Sequence, residues 1–300
     1  MKSKVLIAHD YGSGDVLQIA ETEMRPLKPG FARIAVKAAG VNPVDARRMS
    51  GEVRFGPLPN RFGTEFAGVI VELPDDETDW QAGDEVLGSG AAPSTHATVT
   101  DVPIGNLVRR PAGLDWAVAG SMAGTVQTAM AIMESLGSIR SLLVHGGAGG
   151  CGSALVQLAV EAGIRVVATA SRDNQAYLRG LGALPTTYGD GLVERVRALH
   201  PDDFDAAAIL GGTEAATLAS LKTVKPDGAI VSITKVPAPS DRVVEVNIRR
   251  SPENLAYFVE RVADGRFSWE VSQSYPFEQA AEAFNETLKG HARGKRVLVF

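Results

Sequence analysis

Cysteine is almost missing. Cys151 stands alone among 300 residues, which excludes an internal disulfide and any zinc site built from several thiolates. No apolar run is long enough to span a bilayer, and the run at residues 5–8 is too short for the core of a signal peptide. Blocks of Lys/Arg or Asp/Glu are lacking as well. With a formal net charge of −5, the chain has no basic face for nucleic acid and no polybasic membrane patch. The expectation is a cytoplasmic protein whose partner is a small molecule, not nucleic acid or membrane. Apolar residues (45%) and 32 glycines are plentiful, enough for two modest domains with many tight turns.

The pattern changes along the chain. Short apolar runs at residues 5–8, 31–36 and 66–71 are separated by Gly, Pro and Asp, and read as strands. A short helix starts near Asn42-Pro43, with Asn as cap and Pro at the first helical position. Residues 116–136 carry apolar side chains at helical spacing. Strands at 141–145, 165–170, 205–210 and 229–234 then alternate with helices at 150–163, 172–181 and 213–221. Such alternation predicts βαβ units and a parallel, doubly wound sheet. Two more helices, 252–263 and 277–289, and a strand at 296–300 close the chain. The fold class is α/β, divided as 1–113 with 252–300, and 114–251.

The strongest local signal is Val144-His145-Gly146-Gly147-Ala148-Gly149-Gly150-Cys151-Gly152. Gly147, Gly149 and Gly152 fit G-x-G-x-x-G after an apolar strand and at the start of a helix, the context that dinucleotide binding requires. The first glycine permits the turn and the second lets backbone approach a pyrophosphate. The third lets the helix pack on the strand, so that its positive end, at Gly150 and Cys151, faces the phosphates. The next strand ends Ala170-Ser171-Arg172 rather than in the Asp or Glu that would take the ribose hydroxyls of NAD. Ser171 leaves room and Arg172 can pair with a 2′-phosphate, which points to NADPH. Cys151 reads as a small packing residue beneath the pyrophosphate, not a redox thiol.

With these residues in place, nearly the whole chain resembles the medium-chain dehydrogenase/reductase superfamily, in particular its zinc-independent quinone-oxidoreductase branch. The resemblance rests on Gly40-Val41-Asn42-Pro43-Val44-Asp45, Gly63-Thr64-Glu65-Phe66-Ala67-Gly68-Val69, Gly83-Asp84-Glu85-Val86 and Thr128-Ala129. The glycine-rich turn, Gly182-Ala183 with Tyr188, and Gly294-Lys295 complete it. It implies a GroES-like, β-barrel-type catalytic domain and an inserted Rossmann domain, with the active site in the cleft and a homodimer joined along the Rossmann sheet edge (residues 231–234 and 243–246). By position it implies Asn42 and Thr128 near the nicotinamide, Tyr188 near the adenosine, and Gly211 and Thr234 at strand ends facing the cofactor. Zinc-dependent members carry Cys where this chain has Asn42 and His where it has Thr64. Only Glu65 of that set remains, and one carboxylate does not hold a catalytic zinc.

Without a Lewis acid, oxidation of a simple alcohol is difficult, whereas hydride addition to a quinone or α,β-unsaturated carbonyl spreads the charge onto oxygen. The protein then has to orient the π-systems and donate hydrogen bonds to the developing enolate. The candidate donors are Asn42, Thr64 and Arg47, the last standing where the resembled branch commonly has an aromatic residue. Phe55, Met122 and Met130 are candidates for apolar walls. The alternative is an NADPH-binding protein without turnover that regulates a partner.

Overall fold

The computed structural model describes residues 1–54, 56–77, 79–234 and 240–300. The chain separates into two compact units, Met1–Gly124 with Arg250–Phe300, and Thr125–Arg249. In chain order the first unit begins with β1 (Lys2–Ala8), β2 (Leu17–Glu23), β3 (Phe31–Val41), α1 (Pro43–Ser50), β4 (Asn60–Arg61) and β5 (Glu65–Glu72). It continues through β6 (Glu85–Ser89), β7 (Val99–Pro103), β8 (Leu107–Arg109) and α2 (Trp116–Gly120). Then come α3 (Ala123–Leu136), β9 (Ser141–His145), α4 (Gly150–Glu161), β10 (Arg165–Ala170), α5 (Gln175–Gly180) and β11 (Leu184–Thr187). These lead into α6 (Leu192–Leu199), β12 (Phe204–Ile209), α7 (Glu214–Thr223), β13 (Val224–Ser232) and β14 (Val243–Glu245). The chain ends with α8 (Pro252–Ala263), β15 (Val271–Pro276), α9 (Ala280–Lys289) and β16 (Lys295–Val299). No helix among the described residues is long and apolar enough to cross a membrane.

In the first unit everything is arranged around β3. One edge pairs with β5, while the other takes β7 along its first half and β16 along its second. The resulting seven-stranded sheet runs β15-β16-β3-β5-β6-β8 with β7 on β3, and a three-stranded sheet β2-β1-β4 completes the unit. Alternating residues of β3, Ala32, Ile34 and Val36, are buried against Phe66, Ile70, Val86 and Val102, as the strand period of two requires. On β3 the buried Arg33 reaches Glu72 at 2.6 Å and Asp101 at 2.8 Å, which ties three strands together at one point. Three β segments that the sequence did not announce take part: β6 and β8 extend the sheet beyond β5, and β7 pairs with β3.

Helical residues 116–136 form two helices rather than one. Gly120 lies so close to β3 that a Cβ there would stand 2.5 Å from the Ala38 carbonyl. Ser121 then closes α2, its hydroxyl donating to Val118 O at 3.0 Å and accepting from the Trp269 indole at 2.9 Å. The close approach to β3 fixes α2 in the first unit.

The second unit is a six-stranded parallel sheet in the order β11-β10-β9-β12-β13-β14. Counted from β9 this is 3-2-1-4-5-6, the order of a dinucleotide-binding doubly wound sheet. The strands β9, β10 and β12 are fully or almost fully buried, the mark of a sheet covered on both faces. Asp205, on β12, accepts from the backbone of Arg140 (2.7 Å) and Ser141 (3.0 Å) and pairs with Lys225 at 2.5 Å. That set of donors, the Lys225 ammonium foremost, holds its carboxyl down at about 2.

His145, the last residue of β9, is buried with Nε2 on the Ser220 hydroxyl at 3.1 Å. That hydroxyl donates to Ala216 O, so the imidazole is the donor to Ser220 and Nδ1 carries the lone pair. Burial pushes the His145 pKa down from 6.5 to about 4. The unfolded chain takes up this proton below pH 6.5 and the folded chain resists it down to about 4. Stability present above pH 6.5 is therefore lost across that window, on the order of 3 kcal/mol. Urea denaturation at stepped pH checks it: His145→Gln should flatten the slope between pH 6.5 and 4, and an unchanged slope assigns the loss elsewhere.

A second expectation concerns the turn after β9. A Cβ on Gly152 would lie 2.2 Å from the Gly146 carbonyl, whereas one on Gly149 meets nothing closer than 3.7 Å. Gly152→Ala should cost roughly 1–3 kcal/mol by overpacking, and Gly149→Ala well under ~1 kcal/mol. The two denaturation midpoints separate these cases.

Candidate active site

Strand β3 leads straight into α1 through Asn42, whose backbone N–H donates to Asp45 Oδ2 at 3.0 Å. The other Asp45 oxygen accepts from the Gly63 backbone at 3.0 Å, joining the helix start to the turn before β5. Asp45 is fully buried, and its carboxylate is committed to these two backbone donors.

Beside it lies Glu65, the first residue of β5, also fully buried. Its Oε1 accepts from Asn42 Nδ2 at 2.8 Å and from Lys295 Nζ at 2.7 Å, and its Oε2 accepts from the Gly124 backbone at 2.7 Å. Lys295, opening β16 and 5% exposed, donates in addition to Asn42 Oδ1. An ammonium only donates and a carboxylate only accepts, so the Asn42 amide can sit only one way round. Its second Nδ2 hydrogen has no partner among the described residues. Gly40 is required here because a Cβ would stand 2.2 Å from Glu65 Oε1. His96 completes the surroundings. Its Nε2–H donates to Gly40 O at 3.0 Å, its ring meets Phe284 edge-on, and desolvation lowers its pKa.

Next to α1 is a cavity of about 260 Å³ lined by Val44, Asp45, Arg48, Thr64, Ala91, Ala92, Pro93 and Arg250. The Thr64 hydroxyl makes no hydrogen bond among the described residues. The loop over the cavity is pinned where Gly90 N donates to Thr64 O at 3.0 Å and Gly90 O accepts from Arg250 Nη1.

Arg47 is not at this cavity. Its guanidinium reaches Glu52 at 3.5 Å, with the side chain 41% exposed, and the arginine facing the cavity is Arg48, 8% exposed. The reason is helical spacing. On α1 the buried residues are Asp45, Ala46, Arg48 and Met49, so Arg48 shares the face of Asp45 while Arg47 falls outside it. Of the candidate apolar walls, Met122 is fully buried in packing, Met130 lies on α3, and Phe55 lies outside the described residues. Sequence reasoning marked Lys295 only as part of the resemblance and gave neither it nor Arg250 a role. The role of the first is not local, because it acts 230 residues away from its partner Glu65.

In the second unit, the candidate cofactor residues line up along one edge of the sheet. Gly147, Gly149, Gly150, Cys151 and Gly152 follow β9, Ser171 and Arg172 follow β10, and Tyr188 follows β11. Gly211 and Thr234 follow β12 and β13. This is the carboxyl edge, and the glycine turn sits where the strand order reverses between β9 and β12, the usual ligand position in such sheets. The structural roles of the glycines are visible. Gly147 lies against Ala168 and Leu178, Gly152 lies under the Gly146 carbonyl, and a Cβ on Gly149 would meet nothing closer than 3.7 Å. Arg172 and Tyr188 are exposed, Tyr188 by 52%, and Arg172 pairs with no carboxylate among the described residues. Thr128 lies on α3.

The buried Glu65–Lys295 pair has a thermodynamic signature. Glu65→Gln or Lys295→Met alone strands a buried charge and should cost about 3–5 kcal/mol. The double variant removes both charges and should recover most of that loss in urea titrations. Additive losses would show that the two side chains act separately.

Comparison with known proteins agrees with this architecture. Residues 28–136 match the alcohol dehydrogenase GroES-like domain and residues 182–298 match the zinc-binding dehydrogenase domain. The chain is 31% identical to the chloroplastic NADPH-dependent alkenal/one oxidoreductase of Arabidopsis thaliana, over 98% of this chain and 79% of that protein. It is 32% identical to the 2-methylene-furan-3-one reductase of Solanum lycopersicum, over 96% and 77%. The quinone oxidoreductase of Coxiella burnetii superposes with a TM-score of 0.90 at 26% identity, with both chains covered completely. The chain belongs to the medium-chain dehydrogenase/reductase superfamily, alongside its quinone and alkenal oxidoreductases.

Proposed function

We propose that the protein is an NADPH-dependent reductase of quinones or α,β-unsaturated carbonyl compounds that works without a metal. The observation that carries this reading is the room at Gly149, where a Cβ would meet nothing closer than 3.7 Å, at the reversal point of the sheet, with Arg172, which pairs with no carboxylate among the described residues, just after the neighbouring strand. The space admits a pyrophosphate against backbone N–H groups and the positive end of α4, and Arg172 gives a 2′-phosphate its counter-charge. Tyr188, Gly211 and Thr234 would line the adenosine and nicotinamide halves along the same edge, with Thr128 of the same unit toward the nicotinamide. Bound NADPH supplies a hydride to the electron-poor carbon of the acceptor. The relatives named above as NADPH-dependent and as reductases support the same chemistry.

A catalytic zinc does not fit the residues where relatives of the zinc-dependent kind would hold one. Glu65 already has Lys295, Asn42 and Gly124 on its two oxygens, and the amide and hydroxyl of Asn42 and Thr64 are weak ligands. Among the described residues no group of three or more His, Cys, Asp or Glu is placed to hold a metal ion. What this chain contributes instead is donors. The remaining amide hydrogen of Asn42 and the Thr64 hydroxyl are held by rigid backbone and can meet the oxygen on which the enolate charge collects. The Lys295 ammonium, by fixing which way the amide faces, keeps that hydrogen in place. A reading in which NADPH binds without turnover has no observation in its favour.

We also infer a homodimer formed along β14. That strand is the edge of the six-stranded sheet, and its Val244 is 59% exposed, an edge that a second copy could cover. A reducing compartment such as the cytoplasm suits a chain with a single cysteine.

The test is a fluorescence titration with NADPH and NADH. Wild type should prefer NADPH by roughly 10–100-fold, and Arg172→Ala should abolish most of that preference. Asn42→Ala should lower kcat for an enone by about 10²-fold without weakening nucleotide binding to the same degree. No binding of either nucleotide, or no turnover across quinones, enals and cyclic enones, would sink the reading.

A further inference from the structure

Among the described residues, the cavity beside α1 combines features that an acceptor such as a plain quinone does not need. It is built wholly from the first unit, and its walls at Val44, Ala91, Ala92 and Pro93 are apolar. Two arginines nevertheless stand in its lining, Arg48 and Arg250. Arginine is seldom drawn into apolar surroundings unless an anion accompanies it.

The one carboxylate in the lining, Asp45, is committed elsewhere. Both its oxygens accept backbone N–H groups, from Asn42 and from Gly63. Arg250 donates one N–H to the Gly90 carbonyl and pairs with no carboxylate among the described residues, which leaves several donors of its fork. Burial lowers its pKa from the ordinary arginine value, in keeping with a guanidinium partly withdrawn from water although the residue as a whole is exposed. Arg48 is more deeply set, 8% exposed, and its Nη2 lies 3.5 Å from Asn60 Oδ1. The positions of both groups are fixed. Arg48 sits on α1 two turns from the Asn42 cap, and Arg250 is tied to the loop that also bonds Thr64. An anion between them would lie next to the Thr64 hydroxyl, one of the two donors assigned above to the enolate oxygen.

We propose that this cavity recognises a carboxylate carried by the acceptor itself, so that the preferred substrates are α,β-unsaturated carbonyl compounds bearing a second, anionic end. Planar forked donors match a carboxylate in a way that the apolar walls alone cannot. A volume of about 260 Å³ suits a small acid group and a few methylenes, near the lower limit of ligand cavities in general. This inference rests on the reductase reading, since the cofactor is assigned there to the second unit and the cavity left to the acceptor.

The experiment compares two acceptors that differ at one end only. One is an alkenal with a terminal carboxylate on a spacer of two methylenes, and the other is its methyl ester. Their kcat/KM ratio is measured with NADPH for wild type, Arg48→Met, Arg250→Met and Arg48→Lys. Wild type should favour the acid on the order of 10–100-fold, the range of charge-assisted hydrogen bonds. Each Met variant should bring the ratio to within a few-fold of one, and Arg48→Lys should retain an intermediate preference. The ratio is internal to each enzyme, so partial loss of folded protein does not alter it, and the exposed Arg250 provides a variant whose folding is not at issue. Reduction of the ester with no preference for the acid overturns the carboxylate site and leaves the reductase standing. A preference that survives both Met variants overturns it too. If NADPH binds and neither acceptor is reduced, the reductase reading fails and the carboxylate site with it.

Discussion

A carboxylate with no water around it has to be answered by donors, and in this protein the answer organises a large part of the first unit. Glu65 is fully buried on β5, and what reaches it comes from three distant points of the chain: the Asn42 amide, the Gly124 backbone and the Lys295 ammonium. Each donor constrains its own element. Lys295 opens β16, Gly124 stands at the start of α3, and Asn42 is the cap between β3 and α1. Such a pair is no large source of stability by itself, because desolvation offsets most of the attraction. Its consequence is geometric. Neither partner can move without leaving a charge unanswered, so the strand ends around it hold one arrangement and the amide faces one way.

That fixed amide links fold to chemistry. An asparagine in open solvent turns freely and offers its donor in no particular direction. Here the acceptor oxygen is taken by Lys295 and one hydrogen by Glu65, so the remaining hydrogen is presented with little entropy left to lose on meeting a developing negative charge. Close packing supports the arrangement from behind. Gly40 leaves room for the Glu65 carboxylate, and His96 is held between Gly40 and Phe284. The second unit follows a different logic. Its parallel strands deliver a row of short loops to one edge, and the glycine turn leaves room at Gly149 while Gly147 and Gly152 are closed by packing.

Much of this was legible before any coordinates. The strands at 141–145 and 165–170 and the helix at 252–263 stand where the apolar periodicity put them, and Asn42-Pro43 does open a helix. The glycine spacing pointed to the turn because that motif is a local demand on backbone geometry. Other elements escaped. The strands β11 and β15 are short and half exposed, so their alternation carries little signal. Helix α6 does show Leu192 and Val196 one turn apart, a spacing that could have revealed it. The stretch of helical spacing over 116–136 divides at Ser121, where the approach of Gly120 to β3 and the Trp269 indole, not any local breaker residue, decide the ending.

By itself, then, the sequence determined whatever depends on neighbours along the chain: the alternation of strand and helix, the phosphate-type turn, the arginine where an NAD site would have an acid, and the absence of thiolate ligands. Tertiary structure alone decided which side chains share a space. It joined Lys295 to Glu65 across 230 residues and chose Arg48 over Arg47 for the cavity. It also brought Arg250 to the loop at Gly90. The physical reason is that periodicity records which face of an element is buried, whereas a charge records only that it needs a partner. Where that partner stands is settled by how strands pair, and that information is spread over the whole sheet.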